Sequence, residues 1–411
     1  MKYPVVLFFR WDKYNEIDEK LKKCDIEDKL DCTIIIINHE SQLHKLYSTD
    51  FHILVTYGES DQEYAFQVNE MVPPRLRSRW IHKKEIKDIG EFNYNVNYCY
   101  INNVIGDRKL SRPAFSIFTS CFNSYDKLFR AYNSIKRQTF KDWEWVIMDD
   151  SPDDKHFEFL RDISKDDKRI RLYKRDQNSG NIGNVKNETI GLCRGQYVLE
   201  MDHDDELMPD VLADSVDVFE KHEDVGFVYM ETASVREGGE NFSYGDFICK
   251  GYGGNYTVKQ DGEWRVVYNT PNINNITLSH LVCLPNHPRI WRKSALDKCG
   301  SYPELLPICD DYEIILRSCI GTKVAKIAKL GYFQYMNSGN NNFSLIRNGE
   351  INRIGPQYIS PMFFDQYKVQ DKMKELDAYE DEKYGWEHSQ LWKRDEKYER
   401  KFCNLVLNRD F

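Results

Sequence analysis

The stretch "YVLEMDHDDELMP", residues 197–209, climbs from an apolar run, Tyr197 to Met201, into Asp202, His203, Asp204, Asp205 and Glu206. Four carboxylates within five positions at the end of a buried strand repel one another and resist desolvation. They need a cation, a proton or solvent. Side chains alternate along an extended segment, so Asp202 and Asp204 face one side and His203 the other. Two carboxylates so placed can hold a hard divalent ion that also takes oxygen from a diphosphate; a solvated acidic turn is the competing reading. An EF-hand does not fit, because the sixth position of such a loop is Leu207 where glycine is required. Asp205 and Glu206 read as the turn into "LMPDVLADSVDVF", where acids favour a helix start.

Three strand–helix units precede this stretch. "AFSIFTSCFNS" (114–124) reads as a strand ending in a polar turn, and "YDKLFRAYNSIKRQTF" (125–140) spaces Leu128, Phe129, Tyr132, Ile135 and Phe140 near a helical period. "DWEWVIMDDSPDD" is a second strand ending in carboxylates and "KHFEFLRDIS" a second helix. "IRLYKRDQNSGNIG" is a third strand and loop, "NVKNETIGLCRG" a third helix, and "QYVLEMDHDD" the fourth strand. Such β-α alternation implies a parallel sheet covered on both faces, with ligands beyond the carboxyl ends of the strands. Asn123, Asp149, Asp150, Asn178 and Asp202 to Asp205 therefore gather on one edge. Asp149 or Asp150 can accept hydrogen bonds from a nucleobase edge, or can close an Asx-turn or helix N-cap with Ser151 and Pro152. In "LPICDDYEIILRS" (306–318), Asp310 and Asp311 stand at a helix start, either as dipole-stabilised caps or as a fixed general base.

Outside this region, "VVLFF" (5–9), "CTIIIIN" (32–38) and "FHILVTY" (51–57) alternate with polar helical stretches such as "NEIDEKLKKC", which reads as a smaller α/β domain over 1–110. Its one basic cluster, "PPRLRSRW" (73–80), reads as a solvated loop, and "GDRKLSRP" (106–113) as a linker. Residues 346–411 read as a helical C-terminal extension of amphipathic segments with interspersed charge, suited to packing or self-association.

Composition bounds the partners. A net charge of −9 offers no overall basic footprint for nucleic acid. The eleven cysteines form no CxxC pair and no zinc spacing, which fits reduced thiols in the cytoplasm. The apolar run after Met1 is too short for a signal h-region, and no stretch approaches the 18 apolar residues of a membrane span.

In the order and spacing of its three acidic segments the chain resembles the family 2 glycosyltransferases, inverting enzymes of the GT-A fold, over residues 113–345. "FSIFTSCFNSYDKLFRAYNSIKRQTFKDWEWVIMDDS" is similar to that family's opening strand, first helix and acidic second strand. "NSGNIGNVKNETIGLCRGQYVLEMDHDD" resembles its asparagine-glycine loop, third helix and D-x-D strand. "CDDYEIILR" is similar to its E-D signature, with Asp in place of Glu and an arginine six residues after Asp311. The resemblance implies a Rossmann-like catalytic domain with a mostly parallel sheet, an α/β fold. It also implies transfer of a sugar from a nucleotide donor, most often a UDP-sugar, to a glycan or glycoconjugate hydroxyl, assisted by Mn²⁺ or Mg²⁺. Ser120, Phe122 and Asn123 match positions at the nucleobase, Phe122 by stacking; Asp149 and Asp150 match the carboxylates that read it. Lys186 stands where the family places an arginine near the diphosphate. Asp202 and His203 match positions near ribose and donor sugar, Asp204 (with Asp202) the metal site, and Asp311 the base.

Two features depart from the pattern. A late metal-binding histidine has no clear counterpart in "YFQYMNSGNNNFS" (332–344), and the Q-x-x-R-W signature of processive synthases is missing, which implies one sugar per encounter. Trp264, His287 and Trp291 fall in the acceptor-side region, either touching sugar or packing a core. A phosphohydrolase using Asp202 and Asp204, or a catalytically silent glycan-binding module, is the alternative reading.

Overall fold

The computed structural model describes residues 3–9, 32–49, 51, 53–77, 79–83, 112–175, 178–243, 254–280, 284–300, 302–304, 306–336, 346–376, 378–379 and 405–407. These form two compact units. One is Met1–Arg112 with Asn187–Arg194; the other is Pro113–Lys186 with Gly195–Phe411.

In the first unit the β-branched runs form β1 (Tyr3–Phe9), β2 (Cys32–Ile37), β3 (Ile53–Tyr57) and β4 (Trp80–Lys83), paired in parallel in the order β2-β1-β3-β4. Val6, Phe8, Ile37 and Leu54 pack with Tyr64 and Val68 of the helix Gln62–Met71. The stretch "PPRLRSRW" is not the loop expected from its charge. Pro74–Arg77 is a helix and Trp80 opens β4. Its apolar residues decide this: Leu76 is fully buried, and the Trp80 indole donates to Thr56 Oγ1 at 2.7 Å. "NEIDEKLKKC" and residues 106–111 of the expected linker lie outside the described residues.

The second unit carries, among the described residues, a twelve-stranded sheet. Its strands are β5 (Phe115–Cys121), β6 (Trp143–Asp149), β7 (Ile170–Lys174), β8 (Tyr197–Glu200), β9 (Glu206–Leu207), β10 (Val225–Arg236), β11 (Asn241–Phe242), β12 (Asn255–Gln260), β13 (Glu263–Tyr268), β14 (Arg289–Arg292), β15 (Lys323–Met336) and β16 (Leu405–Leu407). The order is β12-β13-β10-β14-β8-β5-β6-β7. The β8-β5-β6-β7 half is parallel, as the strand–helix alternation implies, and β14 joins it antiparallel through β8. All seven residues of β6 are buried, the continuous pattern of a strand covered on both faces. Phe115, Ile117, Trp145, Leu199 and Ile290 share one core, and Gly195 lets the chain enter β8 against β5. A Cβ there would lie 2.5 Å from the Ser116 backbone nitrogen.

Two expectations are corrected here. Asp205 and Glu206 do not start a helix: Glu206–Leu207 is β9, antiparallel to Phe333 and Tyr332 of β15, and the next helix, Val211–Lys221, begins four residues later. Pairing with a strand more than 120 residues away overrides the local acidic preference. At the C-terminus the helices Asn348–Ile354, Ser360–Gln366 and Val369–Glu375 fit the amphipathic reading, but Leu405–Leu407 is a strand, β16, where a helix was expected. An apolar triplet there meets the unpaired edge of β15. The rest of that expected helical run, residues 380–404, lies outside the described residues.

Candidate active site

The carboxyl ends of β5 and β6 are braced by hydrogen bonds. Asp149, fully buried, accepts from His156 Nδ1 at 2.8 Å and from the Ser151 N–H at 3.1 Å. His156 Nε2 faces the N–H groups of Ser124 and Tyr125 at 3.1 and 3.2 Å, so Nε2 is the acceptor and Nδ1 carries the proton toward Asp149. Burial works to raise Asp149, but the bonds from His156 and Ser151 outweigh it and hold the carboxyl below its usual range. The local turn reading of this segment is therefore present in the structure, with Asp153 capping the helix Asp154–Ser164 through the Lys155 N–H. This bracing fixes the turn Phe122–Tyr125, in which Asn123 and Tyr125 have φ of +48° and +40°. It presents Phe122 41% exposed, and the nearby Ser120 hydroxyl is buried without a hydrogen-bond partner.

Asp150 is engaged more than its sequence position implies. Its oxygens accept from the Ser179 N–H and the Asn178 amide, both at 2.8 Å, and Arg175 lies at 3.1 Å. It thus fastens the asparagine-glycine loop. The same loop is fastened to the segment before Asp310: Asn181 donates to Leu306 O at 3.3 Å, and a Cβ on Gly183 would meet Pro303 O at 2.5 Å.

At the end of β8 the acidic stretch separates into distinct environments. Asp202 is partly exposed, while Asp204 and Asp205 are buried. Asp205 accepts from the Tyr335 N–H at 2.7 Å. Its carboxyl is pushed well above the usual range, by burial first and then by the charges of Asp204 and Asp202. Glu206 pairs with Arg137 and Tyr335. His203 Nε2 is buried without a hydrogen bond.

A closed ring of charges lies between this strand end and the start of the helix Asp310–Gly321. Lys186 bridges Glu200 at 2.8 Å and Asp310 at 3.1 Å. Arg289 bridges Glu200 at 3.2 Å and Asp311 at 2.7 Å. Asp310 and Asp311 are chain neighbours, which completes the ring. Burial opposes the charges of Lys186, Arg289, Glu200 and Asp310, yet Asp310 and Glu200 together hold Lys186 well above its usual range, and Lys186 and Arg289 hold Glu200 well below. At Asp310 burial outweighs Lys186, and the carboxyl stays above its usual range. Lys186 is thus buried among carboxylates and not extended toward solvent. His287 stacks on Tyr332 at 5.1 Å with its Nε2 3.5 Å from Glu200 and its Nδ1 3.7 Å from Asp202; neither ring nitrogen makes a hydrogen bond.

Glu200 and Arg289 were not among the residues read from the sequence, and His287 was read as an acceptor-side residue, whereas here it lies against Glu200 and Asp202. Of the other aromatic candidates, Trp291 is core, its indole donating to Ser318 at 3.0 Å, whereas Trp264 is 62% exposed on β13.

The donor set can be tested against a divalent cation. Among the described residues no group of three or more His, Cys, Asp or Glu side chains forms a ready-made cage. The ring itself sets three carboxylates, Glu200, Asp310 and Asp311, against two cations, Lys186 and Arg289, so a diphosphate placed beside it meets excess negative charge. Mg²⁺ and Mn²⁺ are commonly held by one or two carboxylates plus substrate phosphate oxygens. β8 ends at Glu200 and the chain turns at His203–Asp204, so Asp202 and Asp204 are not the same-face pair of an extended strand that the sequence implied. Either carboxylate supplies hard oxygen donors of the type such an ion takes.

Fold and site define an α/β domain whose acidic groups collect beyond the carboxyl ends of parallel strands and beside one helix start. Residues 116–300 match the model for Glycosyl transferase family 2. Relatives include the Escherichia coli chondroitin synthase, 25% identical over 226 residues, covering 55% of this chain and 28% of that protein. A Campylobacter jejuni GalNAc(5)-diNAcBac-PP-undecaprenol β-1,3-glucosyltransferase is 33% identical over 102 residues, 25% of this chain and 33% of that one. The chain spans less than half the length of each of these relatives. Among solved structures, S. aureus TarS 1–349 in complex with UDP-GlcNAc is 18% identical with a TM-score of 0.44, covering 66% of this chain and 69% of that one. No described helix is long and apolar enough to cross a membrane.

Proposed function

We propose that residues 113–345 transfer a sugar from a nucleoside diphosphate donor, a UDP-sugar, to a hydroxyl of a glycan or glycoconjugate, inverting the anomeric carbon. The observation that carries this reading is the charge ring. It ties the strand end bearing Asp202 and Asp204 to the helix start bearing Asp311, so a donor half and an acceptor half share one rigid support.

Phe122 offers its exposed ring to the nucleobase and Ser120 an unpaired hydroxyl, while Asn123, Asp149 and His156 fix the turn and Asp150 fastens the asparagine-glycine loop beside it. Asp202 and Asp204 would hold Mn²⁺ or Mg²⁺, which when bound neutralises charge on the leaving diphosphate. His203 lies at the donor sugar's side of that strand end. Lys186 fixes Glu200 and Asp310 and supplies positive charge at the edge of the same site. Asp311 takes the proton of the acceptor hydroxyl as its oxygen attacks the anomeric carbon. The new carbon–oxygen bond forms on the face opposite the departing phosphate oxygen, which leaves with its bonding electron pair. One base is sufficient because no covalent intermediate forms. The same reading places the reaction in the cytoplasm, one sugar per encounter, with the C-terminal helices available for self-association.

Binding to the native state raises its apparent stability, by about 2.7 kcal/mol at a hundredfold excess over Kd. UDP with Mn²⁺ is expected to raise the melting temperature of the whole chain and GDP to do so less. Phe122→Ala, which removes the exposed ring, weakens UDP binding by roughly 1–3 kcal/mol, the worth of a base–aromatic stack. Equal shifts with UDP and GDP, or a Phe122→Ala variant that binds UDP like the wild type, would remove the support for this donor.

A further inference from the structure

We propose that Arg289 is a positioning residue of the transfer reaction, orienting the Asp311 carboxylate and locking it, through Glu200, to the donor-side helix that carries Lys186. This rests on the reading of Asp311 as the base. Arg289 opens β14, directly across from Glu200 in the antiparallel pairing with β8, and is 2% exposed. All three edges of its guanidinium are used: Nε donates to Pro285 O at 3.0 Å, Nη1 to Glu200 at 3.2 Å and Nη2 to Asp311 Oδ2 at 2.7 Å. The other Asp311 oxygen accepts from the Tyr312 N–H at 2.9 Å. Both carboxylate oxygens are therefore held in place, and lone pairs remain for one acceptor hydroxyl.

A buried ion network of this kind is weak evidence for stability, since apolar residues of similar volume often serve as well. Its geometry has a different consequence. A base must be fixed relative to the anomeric carbon, and a misplacement of about 1 Å costs on the order of a hundredfold in rate. The ring delivers that precision because it links the base to the strand and helix on the donor side by charge-assisted bonds. Lysine keeps the charge but cannot reproduce three divergent donors in one plane.

The test is a double-variant cycle on the full chain, following UDP release with UDP-sugar, acceptor and Mn²⁺, with donor Kd measured separately. Arg289→Lys is expected to lower kcat about a hundredfold while donor Kd changes less than about threefold. In the Asp311→Asn background the same substitution is expected to add no further loss. Losses that multiply in the double variant, or a donor Kd that worsens in step with kcat, would overturn the proposal, the second by placing Arg289 on the donor diphosphate. If Arg289→Lys does not fold, Glu200→Gln/Arg289→Met removes both buried charges together; a folded double variant that transfers at the wild-type rate overturns the proposal equally. A wild-type chain that turns over no donor, or an Asp311→Asn variant as active as the wild type, sinks the underlying reading instead.

Discussion

Asp311→Asn is expected to lower the transfer rate by roughly 10²–10⁴-fold, the contribution of a positioned general base, with donor affinity changed only a few-fold. Asparagine preserves the shape of the side chain and one oxygen for the Tyr312 N–H or Arg289, but it cannot take the acceptor proton. The substitution is mild structurally. The Asp311 side chain is 26% exposed, and Arg289 retains Glu200 as a partner, so no buried charge is stranded. Loss of rate with an intact melting transition therefore reports on chemistry. Parallel losses of donor affinity and rate would instead place Asp311 in donor binding.

Lys186→Met is expected to have the largest effect on stability, about 3–5 kcal/mol, because it leaves the buried Asp310 without its cation and the buried Glu200 with Arg289 alone. The pH dependence follows from the two shifts. Glu200 sits well below its free value of 4.5, so its stabilising contribution is fully present above that value and is lost as pH falls through the folded value. Lys186 sits well above 10.5, so its contribution is present below that value and is lost as pH rises through the folded one. The penalty of Lys186→Met is therefore full at neutral pH and shrinks in more acid solution, where Asp310, left without its cation, takes up a proton. Asp310 is already held above its usual range by burial. Thermal or urea unfolding of the two proteins at pH 7 and pH 4 checks this. A penalty that is small, or equal at both values, would show that Lys186 does not hold the ring together.

The parallel half of the sheet was legible because its signals are local. Apolar runs of four to seven residues, a helical period between them and carboxylates at each strand end survive in one dimension. The positions of Asp149, Asp202, Asp204 and Asp311 at element ends were legible for the same reason. What each touches was not. Arg289 meets Glu200 across 89 residues, and Lys186 meets Asp310 across 124. Glu200 lay inside the opening stretch, but between Leu199 and Met201 it read as part of an apolar run. Only the β8–β14 register places it opposite Arg289. Asp205 and Glu206 misled in the other direction, since their acidic preference for a helix start is worth less than the pairing of β9 with β15. Lys186 was placed by its resemblance to a diphosphate-side arginine, and the structure adds two carboxylate partners that composition cannot disclose.

One measurement tests the central claim most directly: release of nucleoside diphosphate from a panel of UDP- and GDP-sugars, with Mn²⁺ and with chelator, by the wild type, Asp204→Ala and Asp311→Asn. The expected result is turnover of at least one UDP-sugar by the wild type, stimulated by Mn²⁺ and lost in both variants. Release of inorganic phosphate in place of nucleoside diphosphate, or no binding or turnover of any donor under either condition with Asp204→Ala indistinguishable from the wild type, would contradict it.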